Sequence, residues 1–227
     1  MSERFCVSGV LDALKAQAPR VRGGGRAVLI VSSNLSDEVT TIARAVAEDA
    51  GSGAVYAIDL DLKRNALAKA LSQGAALGPK IDGRLGGVSF YTLYSKGRTP
   101  MPEAAPAFSY HRVGRSLVFA GVFDARVLPR NARVTISARP DYWTAARAGG
   151  ATVVIAAPAI ERSDIALRVA QHMDGIVLVV GAEPGAAPAA VAAKTALVNA
   201  GANVIGLVYA GATAPVMAME RLLRQAV

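Results

Sequence analysis

Between Val28 and Ala47 an unbroken apolar run passes into a short polar stretch and then into Val39, Ile42, Ala43, Val46 and Ala47, apolar positions at helical spacing. The pattern predicts strand, tight turn and amphipathic helix. A second apolar run, Ala54 to Leu62, ends in Asp59 and Asp61, whose i, i+2 spacing sends both carboxylates off the strand end on one side. Later runs predict strands over Ser116–Ala120, Ala151–Ala156, Gly175–Val180 and Asn203–Val208. Helical spacing marks Asp141–Ala148, Asp164–His172, Ala187–Asn199 and Pro215–Gln225 between and after them. Strands alternating with helices define an α/β chain with a mostly parallel sheet covered on both faces, in three layers. Residues 1–25 read as an N-terminal helix, Glu3–Gln17, followed by a flexible joint, PRVRGGG, and residues 26–227 as one domain. That helix can dock on a neighbouring copy or on its own domain. Within the domain, 74–133 shows no steady period until Ser116 and carries Gly83, Gly86, Gly87, Gly97, Pro100, Pro102 and Pro106. It reads as a variable excursion containing a mobile loop.

The turn after the first strand has the position of a phosphate loop without its residues. The pattern Gly-x-x-x-x-Gly-Lys-[Ser/Thr] uses a glycine to wrap phosphates, a lysine to reach them and a hydroxyl for magnesium. Here Glu38 stands for the glycine and Val39 for the lysine, and only Thr40 keeps the chemistry. Asp37 and Glu38 also put carboxylates where the free N–H groups of a helix start would attract an anion. Two like charges about 4 Å apart repel by about 4 kcal/mol at an effective dielectric of ~20. Acidic residues at a helix start are equally ordinary capping chemistry. In sheets of this kind ligands meet the carboxyl ends of the strands, where residues 34–37, 59–64 and 157–162 converge.

Composition narrows the class. With 52% hydrophobic residues in 227, the chain can bury a sizeable core, yet no apolar run approaches the ~18 residues that span a bilayer. The start of the chain lacks the order of a signal peptide, and Cys6 has no partner for a disulfide, so a cytoplasmic setting is expected. His111 and His172 offer no zinc spacing with it. Lys and Arg exceed Asp and Glu by 25 to 17, a net charge of +8, with arginines dense between Arg112 and Arg147. That field suits an anionic membrane face or an acidic partner. Nucleic acid is excluded as a partner, because no helix-turn-helix, zinc or aromatic-interleaved signature accompanies the charge.

The chain resembles the cytoplasmic ATPase domain of the bacterial tyrosine kinases of polysaccharide export, relatives of the MinD/ParA class of P-loop proteins. VSSNLSDEVTT at 31–41 lies over the family's first loop, IDLDLKRN at 58–65 over its Asp-x-Asp motif, and VIAAPA at 154–159 over its Ile-Ile-Asp-x-Pro-Pro. SDIA at 163–166, DGIVLVV at 174–180 and AGANVIGLVY at 200–209 continue the order. The resemblance implies a P-loop NTPase-like fold. It also implies that Thr40, Asp59 and Asp61 are the remnants of a nucleotide and magnesium site, with Asp59 and Asp61 serving magnesium and proton transfer in the family. The family's third-motif aspartate is replaced by Ala156, and its tyrosine-rich tail is missing from MAMERLLRQAV. Tyr91 and Tyr94 form the nearest thing to a tyrosine cluster.

Taken together, the resemblance and the losses imply a non-catalytic subunit with no catalytic residue, no metal and no cofactor. It would bind a membrane-embedded co-polymerase or export protein, at the periphery of the inner membrane. DYWTAARAGGATVVIAAP at 141–158 resembles the holdfast-polysaccharide type within the family. Two other functions remain open: an active ATPase or tyrosine kinase using ATP and magnesium with Lys63, Arg64 or a neighbouring copy as the missing cation, and a MinD-like membrane scaffold. A homo-oligomer is compatible with each.

Overall fold

The structure, a computed structural model, describes residues 7–34, 38–51, 53–102 and 106–210. Its main sheet runs through six parallel strands: β1 (Arg26–Ser32), β2 (Val55–Asp59), β7 (Val118–Phe123), β9 (Thr152–Ala156), β10 (Gly175–Val180) and β11 (Val204–Tyr209). Antiparallel β6 (Phe108–Val113) and β3 (Leu77–Asp82) extend it past β7, giving the order β11-β10-β1-β9-β2-β7-β6-β3. Strands β4 (Tyr91–Tyr94), β5 (Pro100–Met101) and β8 (Arg133–Ile136) form a separate antiparallel sheet of three. The helices are α1 (Ser8–Ala16), α2 (Glu38–Asp49), α3 (Ala66–Ser72), α4 (Asp141–Ala146), α5 (Ile165–Ala170) and α6 (Ala186–Asn199).

Strand alternation sorts the core into two layers. Val28 and Ile30 of β1 pack with the buried faces of α1, α2 and α3, whereas Leu29 and Val31 pack with those of α4, α5 and α6. Neighbouring β9 and β10 divide in the same way, Val154 and Val177 to one side, Ile155 and Leu178 to the other. A strand buried on both faces reads as a continuous apolar run, which is why β1, β9 and β10 were plain in the sequence. The resulting α/β sandwich of three layers, with a mostly parallel central sheet, is a P-loop NTPase-like fold.

The N-terminal helix packs on its own domain, burying Val10, Leu11 and Leu14 beside β1 and β11. The last residue of the expected joint lies close against the domain. The Gly25 N–H donates to the Arg147 carbonyl at 2.7 Å, and a Cβ on Gly25 would lie 1.6 Å from the Ala151 carbonyl oxygen. Only glycine permits that approach. Arg147, counted in sequence with the dense arginine stretch, is 2% exposed. Its Nε donates to Asp174 Oδ2 at 2.7 Å, and its remaining donors reach the Trp143 and His172 carbonyls. The same Asp174 oxygen accepts the Ala27 N–H at 2.7 Å, so one buried pair ties the starts of β1 and β10 to the end of α4.

The section 74–133, expected as a variable excursion containing a mobile loop, contains short strands. An aromatic cluster of Phe90, Tyr91, Phe108, Tyr110, Phe123, Tyr142 and Trp143 holds this section as short strands. Tyr91 is a core residue there, with Tyr94 half-buried. The helix predicted over Pro215–Gln225 lies outside the described residues, as does the start of the one predicted from Glu3. Among the described residues no helix is long and apolar enough to cross a membrane.

Candidate functional site

At the carboxyl ends of β1, β2 and β9 lies a cleft of about 380 Å³. It brings together all three residues singled out from sequence: Thr40 in the first turn of α2, Asp59 at the end of β2, and Asp61 two residues beyond. Asp37 is outside the described residues. Glu38 opens α2 at the mouth, and Val39, 5% exposed, sits between the cleft and the core with Ile42 and Ala43. The floor is Ala156 to Ala159, where the connection from β9 to α5 is bonded to the first loop: the N–H groups of Ala157, Ile160 and Glu161 donate to the carbonyls of Ile30, Ser32 and Ser33.

The carboxylates face different partners. Asp59 is 6% exposed, and its two oxygens accept the N–H groups of Asp61 at 2.8 Å and Leu67 at 3.2 Å. It therefore closes its own turn and caps the first turn of α3 from a distance, a task that needs no bound ion. Burial is the dominant effect on its titration and raises its pKa above the ordinary value of 3.8, with repulsion from Asp61 adding and the backbone donors opposing. Asp61 stays near the surface, its Oδ2 3.5 Å from Arg64 Nε. A fourth acid, Glu183 of the connection from β10 to α6, accepts from the Asn34 side-chain amide at the end of β1. Ser32 and Ser33 donate their hydroxyls to Asn34 as well, at 2.6 and 3.1 Å, so the loop's polar side chains engage one another and an acid.

Glu183 was not recognised from sequence; its signal was an acid just past an apolar strand end, in VLVVGAE. Arg162 lines the cleft and, among the described residues, forms no ion pair. Asn65, at the end of the Asp-x-Asp segment, brackets Phe123: its side chain accepts the Phe123 N–H at 2.8 Å and donates to the carbonyl at 2.9 Å. It thereby fixes the turn that carries Asp61 and Arg64. Two guanidiniums, of Arg64 and Arg162, thus line the cleft with the carboxylates of Glu38, Asp59 and Asp61. Among the described residues no three of His, Cys, Asp and Glu are grouped to hold a metal ion.

The raised pKa of Asp59 has a measurable consequence. The folded chain holds this proton more tightly than the unfolded chain, so the associated stability is complete below pH 3.8 and is lost as the pH rises through the raised value. A ¹³C-carboxyl titration will place the Asp59 midpoint above 3.8, and a midpoint at or below that value would show that the backbone donors outweigh burial.

The chain thus has a P-loop NTPase-like α/β fold with a cleft built from the connections after β1, β2 and β9. No protein-family model matches the sequence, and no curated protein sequence matches it. Solved structures do. The crystal structure of the VpsO kinase domain is similar with a TM-score of 0.53 and 17% identity, over 91% of this chain and 93% of that one. The kinase domain of the Escherichia coli tyrosine kinase ETK gives 0.45 and 13%, over 84% and 71%, and the chimerical protein CapA2B2 gives 0.45 and 13%, over 81% and 75%. At 17% identity the likeness to the VpsO kinase domain is one of fold alone.

Proposed function

We propose that this chain is a non-catalytic, kinase-like subunit that supports synthesis and export of a cell-surface polysaccharide, of exopolysaccharide or holdfast type. It works in the cytoplasm at the periphery of the inner membrane, by binding a membrane-embedded co-polymerase or export protein. The polysaccharide half of this reading is supported by the order of motifs from Val31 to Tyr209, and its kinase-like character by a fold like that of the VpsO kinase domain.

The non-catalytic half is carried by the mouth of the cleft, where Glu38 and Val39 stand in place of glycine and lysine over a floor containing Ala156. Mg–ATP does not fit this set of residues: its phosphates meet a carboxylate at the helix start, and Asp59 is occupied by backbone donors. Such a cleft still offers a shaped surface to a protein partner. The basic surface is then free to face that partner or anionic lipid.

In a strain lacking the gene, Thr40→Ala and Asp61→Ala will restore surface polysaccharide as fully as the wild type does. Both residues lie on the cleft rather than in the core, so the variants keep the fold. A second reading, an active kinase, draws on Arg162 as a cation in the cleft outside any ion pair among the described residues. Loss of polysaccharide with Thr40→Ala or Asp61→Ala, in protein that remains folded and abundant, would select it.

A further inference from the structure

Away from the strand ends of the main sheet lies a second cleft of about 650 Å³, between the three-stranded sheet, the Leu85–Val88 hairpin and α4. Its volume falls within the range of small-molecule sites, about 300–1,000 Å³. We propose that this cleft is a binding site for a neutral saccharide. The assignment rests on its lining and is independent of whether the first cleft binds nucleotide.

Hydroxyls from three pieces of chain line it: Thr92 within β4 with Ser89 just before that strand, Ser137 after β8, whose Oγ also accepts the Arg139 N–H at 3.2 Å, and Thr144 on α4. At the rim Arg139 and Asp141 are paired, Nε to Oδ2 at 3.0 Å, with side chains 82% and 50% exposed. A hydroxyl both donates and accepts, a guanidinium only donates and a carboxylate only accepts. Side by side they complement adjacent hydroxyls of a sugar ring. A phosphate would find one cation already neutralised and a carboxylate beside it, and an apolar ligand would strip water from the Thr92 and Thr144 hydroxyls without replacing its hydrogen bonds.

The walls are built before any ligand arrives. Leu85 and Val88 exchange backbone hydrogen bonds at 3.1 and 3.2 Å across a turn in which Gly86 and Gly87 have φ of 60° and 78°. A Cβ on Gly86 would come within 3.2 Å of the Ala145 Cβ on α4, so the hairpin lies close against the helix. On the opposite side the Ser137 N–H donates to the Phe90 carbonyl at 2.8 Å. Tyr142, part of the lining, is fixed from within, its hydroxyl 2.6 Å from that of Tyr110. Preformed walls spare a weak ligand the cost of ordering them.

The test uses the whole chain, with saturation-transfer NMR and calorimetry against methyl glycosides and trisaccharides of glucose, galactose, mannose and N-acetylglucosamine. Inorganic phosphate and Mg–ATP serve as counter-probes. At least one glycoside will saturate in the millimolar range. Thr144→Val and Arg139→Gln will each weaken it by about 3- to 10-fold, and their combination by more, with unchanged melting temperature because both side chains are exposed. The proposal is overturned if no glycoside saturates up to about 50 mM, if binding survives the double variant, or if phosphate displaces the glycoside. Heat from Mg–ATP alone would count against the non-catalytic reading of the first cleft and leave this assignment standing.

Discussion

Arg147→Ala will lower the unfolding free energy by about 3–5 kcal/mol, the range for removing one partner of a buried ion pair. The side chains of Arg147 and Asp174 are 3% and 0% exposed, so the variant leaves a carboxylate uncompensated out of reach of water. Asp174 Oδ1 has no hydrogen-bond partner among the described residues, which leaves Arg147 as the principal neutralising contact. Asp174→Ala should cost as much, since it also orphans the Ala27 N–H at the start of β1. The control is Arg20→Ala. Arg20 lies 3.5 Å from Asp174 but is 46% exposed, and its removal will cost no more than about 1 kcal/mol. Urea denaturation of the three variants separates these values. Equal small losses for Arg147 and Arg20 would mean that water reaches the pair.

The second large effect concerns the first cleft. Glu38→Gly combined with Val39→Lys will raise affinity for Mg–ATP by at least about tenfold, because it removes one carboxylate and supplies one ammonium at the mouth. A single unit charge about 4 Å from a phosphate is worth about 4 kcal/mol at an effective dielectric of ~20, and salt screening leaves a fraction of that. Val39 lines the cleft and also packs in the core, so the lysine stem can run outward only by giving up apolar contact. The variant will therefore be less stable than wild type by about 1–3 kcal/mol, with the added glycine contributing up to about 1. Calorimetry and urea melts on the same sample read both changes. No gain in affinity would show that the loop backbone lacks the geometry to cradle phosphates.

Much of the architecture was legible because β1, β9 and β10 are apolar on both faces and α2 shows its buried residues at helical spacing. What escaped was whatever depends on neighbours distant in sequence. Helix α3 is seven residues long and begins after Asn65 in a left-handed conformation, with no capping side chain of its own. Its start is held by Asp59, eight residues earlier than Leu67, so the helix and the role of that aspartate could only be seen together. The strands of 74–133 are two to six residues long and cohere through aromatic rings from Phe90 to Trp143, an order that no local period reports. Asp59 and Asp61 were recognisable as strand-end acids facing a cleft. That one is buried under backbone donors while the other is paired with Arg64 is tertiary information. Arg147 shows the same limit in reverse: an arginine in a dense basic stretch proved to be a buried cation.

Titration calorimetry of the full chain with Mg–ATP tests the central claim most directly. The charges at the mouth of the first cleft predict no saturable heat up to about 1 mM nucleotide, with or without magnesium. A dissociation constant in the micromolar range, abolished by Thr40→Ala, would contradict it.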